Sequence, residues 1–457
     1  MRKKINRRRL IQVLGISTLG VSLPRSGWAK DESGIPMILP QNHKLGTLSK
    51  PITAITLGAG NRGNVYGNYA IEYPERLDIV GVAEPVNIRR KRYIQKHSIK
   101  KKHAFKTWED VFKKPKFADA IIITTPDELH YGPCMEALKM GYHILLEKPI
   151  SPSEKECRDI LELAQKKKRI VAVCHVLRYA PYFMRLREII QSGELGQVVS
   201  LQHFEPIQHI HMSHSFVRGN WHNSKQTTPI ILAKSCHDLD IMKWMLGKTS
   251  QKIQAFGSLS WFRKENAPEG SSNRCTNNCK AESNCPYSAI KIYHRDRTWL
   301  HHFDLPDDKS SHGDVIMDYL KKSNYGRCVY DMENDQPDHY TCNILFEDDV
   351  TASFSMEAFT SYHGRRTRVM GSMGDIVGDM TSFTWTDFRT GEKEVYEHES
   401  DSHGGGDWNL VSDWLQAIDK EDESLLTSTI QDSIESHLMG FAAEQSRLRG
   451  TVENILV

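Results

Sequence analysis

The sequence predicts an α/β protein whose first half is a doubly wound parallel sheet, and three observations carry that reading. The segment "LGAGNRGN" places Gly58, Gly60 and Gly63 at G-x-G-x-x-G spacing between an apolar run and a helical stretch. The next apolar run ends in Glu84, twenty-one positions after Gly63. Short apolar runs then keep alternating with helix-length segments, the pattern of a sheet covered by helices on both faces.

Each element has a local cause. Ile52 to Leu57 has strand character, and Asn64 to Tyr73 reads as a helix that Pro74 closes. "LDIVGVAE" is a second buried strand, and "ADAIIITTPDELH" a strand ending in a Thr-Thr-Pro turn. A helix is expected from about Tyr131 to Met140, then "HILLEKPIS" as another buried strand, with "RIVAVCHVLRY" the sixth. In such sheets ligands bind at the carboxyl ends of the strands, where Gly58, Glu84, Thr125, Pro126, Glu147, Lys148 and His175 fall. The glycine turn admits a pyrophosphate to the helix start at Asn61 and Arg62. Glu84 suits the adenine ribose of NAD and repels the 2'-phosphate of NADP, although Arg62, Arg89 and Arg90 offer a phosphate some compensation.

At 457 residues and 39% hydrophobic content the chain can build two domains. A net charge of +3 argues against nucleic acid as a principal partner. Residues 1–29 form a basic region with Arg7, Arg8 and Arg9, an apolar run from Leu10 to Leu23, and a small-residue site before Lys30. They predict a twin-arginine signal cleaved after Ala29, hence a periplasmic or secreted protein without stable membrane insertion once processed. A Sec signal or an uncleaved anchor is the plainer alternative. Residues 30–50 form a polar arm, a candidate clasp over the cofactor. Residues 51–172 are expected to be the dinucleotide domain, and 173–457 a second domain with an insertion at about 265–330.

From "LLEKPIS" onward the chain resembles the Gfo/Idh/MocA family of glucose-fructose oxidoreductase and inositol dehydrogenase relatives. The glycine turn, "TTPDELH", "EKP", "LRYAPYF", "GELGQVVS" and "CHDLDIMKWMLG" follow in that family's order. The resemblance implies a Rossmann domain joined to an α/β domain with an open, mostly antiparallel sheet that often builds homo-oligomers. It implies Lys148 and His237 as catalytic groups, Tyr179 as a candidate acid or substrate contact, and His130 beside the cofactor. A hydride leaving a carbinol carbon requires the hydroxyl proton to leave too, so a base near neutrality and a cation at the oxygen suit that chemistry. One departure stands out: where the family usually carries aspartate four residues before the histidine, this chain has Ala233, followed by Lys234.

Three loops stay open to more than one use. "HFEPIQHIHMSHSFVRGNWHNS" reads first as a polar, aromatic loop over a sugar, with His214, Arg218 and Trp221 as contacts beside Arg178 and Lys234. Its alternatives are a capping loop and a metal site, and no metal is assigned. Cys275, Cys279, Cys285 and Cys328 suggest a disulfide-tied insertion, with structural zinc second; the C-x2-C spacing typical of iron–sulfur binding is absent. "DSHGGGDWNL" fits a mobile lid holding His403 or a plain helix entry near Asp407.

An exported nicotinamide enzyme cannot draw on a cytoplasmic pool. With association near 10^6 per molar per second and residence of about 10^4 s, the dissociation constant is about 10^-10 M. The expected function is an exported oxidoreductase acting on a sugar with tightly held NAD. The alternatives are a redox-neutral NAD-dependent glycosidase or epimerase, and a noncatalytic sugar-binding protein.

Overall fold

The computed structural model describes residues 29–30, 36–38, 46–398 and 405–457. The proposed signal and His403 lie outside the described residues, apart from Ala29. Strands β1 (Ala29–Lys30) and β2 (Pro36–Ile38) belong to the arm. The first domain holds β3 (Ile52–Leu57), β4 (Leu77–Ala83), β5 (Ala104–Phe105), β6 (Ala120–Ile123), β7 (His143–Leu146) and β8 (Val171–Val173). They form one parallel sheet in the order β5-β4-β3-β6-β7-β8. The order reverses between β3 and β6, which opens a ligand crevice at their carboxyl ends. The helix expected after the glycine turn runs Asn61–Glu72, and the next predicted one runs Tyr131–Lys139.

The second domain is built on β9 (Val198–Pro206), β10 (Ser250–Ser258), β11 (His339–Phe346), β12 (Thr351–Glu357), β13 (Arg366–Gly371), β14 (Gly374–Gly378), β15 (Ser382–Asp387), β16 (Lys393–Glu397) and β17 (Glu453–Asn454). With β1 and β2 they make an eleven-stranded sheet, antiparallel except where β9 meets β12 and β2 meets β16. Helices Pro181–Ser192, Cys236–Leu246 and Ile430–Arg449 pack on one another and, through β9 and β10, on this sheet. A continuous apolar core joins both domains, from Ile55 and Leu146 to Leu201, Ile344 and Met439.

Two expectations change. The arm does not clasp the cofactor crevice within its described part, because Met37 and Ile38 pair with Val395 and Tyr396 at the edge of the large sheet. That pairing satisfies backbone groups an edge strand would otherwise expose. The first domain is also not contiguous: helix Gly406–Lys420 returns to it and buries Leu410, Val411 and Trp414 against Ile52, Tyr66 and Val176. The insertion has its own small core of Cys275, Ile292, Tyr293, Phe303, Ile316, Leu320 and Tyr325.

The glycine turn is sterically exacting. A Cβ on Gly63 would stand 2.1 Å from the Gly58 carbonyl oxygen. Gly63→Ala is therefore expected to lower the thermal midpoint and weaken dinucleotide binding at least about tenfold, read by calorimetry and by cofactor titration.

Candidate active site

The crevice begins at Gly58, whose φ of +94° lets the chain turn out of β3 into the helix. A Cβ on Gly60 would meet nothing within 4 Å, so the backbone is open to a ligand there. No side chain caps the helix that starts at Asn61, which leaves its first amides facing the turn. Glu84 is buried, and its carboxylate accepts from the Ala59 and Val86 amides, each at 2.8 Å. It thus pins the glycine turn to the end of β4 while placing negative charge at the ribose position. These features fit a pyridine dinucleotide: an open turn for the pyrophosphate and an acceptor for the ribose.

Arg62 has a different task from phosphate binding. Its guanidinium pairs with Glu147 and Asp407, joining the first helix to the end of β7 and to helix Gly406–Lys420. Glu147 also accepts from Tyr66 Oη at 2.7 Å and from the Lys148 amide at 3.0 Å. Burial opposes its charge, but Arg62, Lys148 and Tyr66 outweigh burial and hold the carboxyl below its usual range. Thr125 and Pro126 form the turn after β6. His130 braces it, with Nδ1 2.7 Å from the Pro149 carbonyl and Nε2 3.0 Å from that of Thr125. Fully buried, His130 shapes the crevice from behind rather than lining it.

Lys148 follows β7 through a cis bond to Pro149, and its Nζ donates to the Ala233 carbonyl at 2.6 Å. Ala233 ends the helical turn that leads into helix Cys236–Leu246, which carries His237 in its first turn. Lys148 thereby reaches from the first domain to the turn four residues before His237. The His237 ring lies 6.0 Å from that of His175, centroid to centroid, and His175 lies 5.6 Å from His437. Burial, then the charges of Arg178 and Lys148, push the His175 pKa well down, so this ring is neutral. His437 accepts from the Ile150 amide through Nε2 at 2.9 Å and faces the Ser433 carbonyl through Nδ1 at 3.1 Å, which assigns its proton to Nδ1. Burial and His175 lower its pKa to about 3.

Lys234, which follows Ala233, is paired with a residue of β9. Lys234 Nζ lies 3.0 Å from Glu205 Oε1, and Glu205 Oε2 lies 2.9 Å from Arg365 Nη2. Arg365 binds Asp238 in turn, through Nε at 2.6 Å, and His203 reaches the same carboxylate at 3.1 Å. Burial opposes the charge on Asp238, but Arg365 and His203 outweigh it. His211 belongs to the same neighbourhood: burial, then the charges of Lys234, His214 and Lys148, drive its pKa down.

Sequence reasoning missed Glu205, although "HFEP" offered a signal, since two-residue alternation puts His203 and Glu205 on one buried face of β9. It also missed His437, which sits mid-helix with no local mark.

Several predicted contacts are corrected. Tyr179 buries its hydroxyl against Ser428 Oγ at 3.0 Å and the Thr427 amide at 3.2 Å; it is a domain-junction residue and not an acid. Arg178 is 2% exposed and grips Asp240 through Nε at 2.7 Å and Nη2 at 2.6 Å, so it holds the fold and not a substrate. Arg218 donates to the Arg327 and Tyr287 carbonyls at 2.7 and 2.8 Å, inside the insertion. His214 is buried, bonded to Tyr293 Oη at 2.8 Å, and forms with His301 and His302 a trio whose ligand atoms lie within 4.8 Å of one another. Trp221 donates to Asp127 at 2.8 Å, tying the loop after β9 to the turn after β6. All nine cysteines are free, so the insertion is not tied by disulfides. A groove of about 550 Å³ lies elsewhere, on the open face of β9 to β12, lined by Gln202, Gln254 and Asn343.

This arrangement of a dinucleotide turn, a lysine after β7 and a histidine from a second, mostly antiparallel domain defines a two-domain nicotinamide-type oxidoreductase architecture. Residues 52–175 match the model described as "Oxidoreductase family, NAD-binding Rossmann fold", and residues 187–453 match its "C-terminal alpha/beta domain". The chain belongs to the Gfo/Idh/MocA oxidoreductase family, and its first domain is that family's NAD-binding domain. It is 25% identical over 263 residues to YteT of Bacillus subtilis, covering 56% of this chain and 59% of that one. To an inositol 2-dehydrogenase of Salmonella paratyphi B it is 25% identical over 186 residues, 39% of this chain and 50% of the relative. The matches thus span between half and three fifths of these relatives' lengths. In fold it is similar to an inositol dehydrogenase homolog of Azotobacter vinelandii complexed with NADH and myo-inositol, with TM-score 0.64 and 15% identity over 89% of this chain and 98% of the other. A levoglucosan dehydrogenase in complex with NADH and levoglucosan gives TM-score 0.66 and 13% identity over 89% and 100%. Among the described residues no helix is long and apolar enough to cross a membrane.

Two outcomes follow. Arg178→Ala strands Asp240 without its guanidinium and is expected to cost about 3–5 kcal/mol of stability in urea titration. His437 is neutral when folded and free to protonate when unfolded, near 6.5. Its contribution is therefore complete above about 6.5 and lost as pH falls toward about 3. The urea midpoint should drop across that window, and less so in His437→Gln, whose amide oxygen can still accept from Ile150.

Proposed function

We propose that the protein oxidises a secondary hydroxyl of a sugar or cyclic polyol, with NAD held at the tips of β3, β4 and β6. The observation that carries this reading is Lys148 Nζ at the Ala233 carbonyl, which brings an ammonium to the turn four residues before His237. The resemblance to inositol and levoglucosan dehydrogenases supports a ring-hydroxyl substrate.

The Gly58–Gly63 turn, the open helix start and Glu84 would hold the dinucleotide, which when bound accepts the hydride. The chain's own residues handle the proton. A substrate hydroxyl that displaces the Ala233 carbonyl from Lys148 gains a cation against developing negative charge on its oxygen, while His237 accepts its proton. The neutral His175 and His437 rings add no positive charge behind that pair. The pair of Lys234 and Glu205 offers a donor and an acceptor to a neighbouring hydroxyl, replacing the aspartate absent at Ala233.

That same pair favours a second reading, a redox-neutral glycosidase or epimerase. Oxidation of one ring carbon acidifies the C–H beside it, and an acid and a base already side by side can move that proton before the hydride returns. Residues 1–29 support export through the twin-arginine route, with periplasmic residence and permanent retention of the cofactor. The open face of the eleven-stranded sheet supports self-association.

Lys148→Ala is expected to lower kcat at least about 100-fold with substrate binding largely kept, measured by single-turnover NADH absorbance and by calorimetry. Near-normal turnover would remove Lys148 from the chemistry. Release of an aryl aglycone without net NADH selects the redox-neutral reading; steady NADH formation from a free sugar or polyol selects the dehydrogenase. For export, replacing Arg7, Arg8 and Arg9 together by lysine should leave the protein in the cytoplasm, checked by fractionation.

A further inference from the structure

We propose that Cys275, Cys279, Cys285 and Cys328 ligate an iron–sulfur cluster inside the insertion.

All four cysteines line one cavity, and none is in a disulfide. Three come from a single loop at C-x3-C-x5-C spacing, and the fourth lies 43 positions beyond the third. Tertiary pairing brings it there. Arg274 and Arg327 form an antiparallel bridge, with the Cys275 amide 2.9 Å from the Gly326 carbonyl and the Cys328 amide 3.0 Å from that of Asn273. The first and last cysteines are thus held by backbone, independent of any bond between sulfurs.

The sulfurs are provided for as thiolate ligands are. Cys275 Sγ lies 3.4 Å from the Ala289 amide nitrogen and 3.8 Å from Arg218 Nη2. The Tyr287 and Tyr330 amides donate to the sulfurs of Cys285 and Cys328. Such N–H to sulfur bonds stabilise ligating thiolate and tune a cluster. Arg218, 1% exposed, also lines the cavity, and its Nη1 has no hydrogen-bond partner among the described residues. A buried guanidinium without full pairing is costly, and an anionic cluster supplies the charge it lacks.

The spacing of the sulfurs decides against a single ion. Tetrahedral zinc with Zn–S bonds of about 2.3 Å holds its sulfurs about 3.8 Å apart. Among the described residues, the one set of three or more His, Cys, Asp or Glu with ligand atoms all within 4.8 Å is the His214, His301 and His302 trio, so no three of these sulfurs approach so closely. A polynuclear cluster spreads its thiolates farther apart.

Its role is positional. A hydride carries two electrons and such a cluster exchanges one at a time, so it does not replace the nicotinamide. Instead it fixes Arg218 at the end of segment Met212–Arg218, continuous with His209–His211, and His211 feels the charges of Lys234 and Lys148.

The full chain, expressed with iron and cysteine supplied and purified without oxygen, tests this by metal analysis, acid-labile sulfide, visible absorption and electron paramagnetic resonance after dithionite. The expected result is iron and sulfide in equal amounts, about two to four of each per chain, with a visible band that dithionite bleaches. Cys279→Ser and Cys285→Ser should each lose about tenfold of that iron. Cys342→Ser, a buried cysteine outside the cavity, should keep it. About one zinc per chain without sulfide, disulfides among the four, or metal-free protein with four free thiols would each overturn the proposal. Because iron and sulfide are read on the unaltered chain, a variant that fails to fold does not decide the matter.

Discussion

The buried pair of Arg178 and Asp240 is the constraint on which the site's geometry rests. Arg178 sits in the turn after β8, the last strand of the dinucleotide domain, and Asp240 one helical turn beyond His237. The same guanidinium donates to the Thr427 carbonyl and, at 3.1 Å, to that of Asp432, at the entry of helix Ile430–Arg449. One planar cation therefore locks three segments that must otherwise agree in position by packing alone. With both charges out of water, the pair is worth more as a specifier of geometry than as a source of stability. His175 Nε2 lies 3.6 Å from the same Asp240, and the rings of His237 and His437 stand on either side of His175 at 6.0 and 5.6 Å.

Around that clasp the site separates charge from neutrality. Carboxylates are satisfied by cations or amides: Glu147 by Arg62, Glu84 by two backbone amides, Glu205 by Lys234 and Arg365. The inner histidines are held neutral by burial and by nearby positive charge. Lys148 is the exception in the kind of partner it has. It is held by a carbonyl, a neutral acceptor that a ligand hydroxyl can replace at small electrostatic cost. A lysine locked to a carboxylate there would be harder to recruit.

The residues that proved legible in sequence were those whose signal is local. The glycine turn, Glu84 at a strand end and the lysine of "EKP" all stand where the alternation of apolar runs puts them. The misreadings concern polar side chains with several partners to choose from. Arg178, Tyr179, Arg218 and His214 were each read as facing a ligand because each is polar and lies in the right segment; each is instead consumed by a residue distant in the chain, such as Asp240, Ser428, Tyr287 or Tyr293. The pairing of Lys234 with Glu205 depends on strand β9 lying against the start of helix Cys236–Leu246.

Sequence by itself determined the fold class and the dinucleotide turn, because each follows from spacing along a few residues and from backbone sterics. Tertiary structure alone decided which polar side chains are spent on the fold, that helix Gly406–Lys420 returns to the first domain, and that Cys328 joins three cysteines of a distant loop. The physical reason is the same in each case. A buried polar or charged group must be paired, and which partner it meets is set by long-range packing that no local pattern encodes.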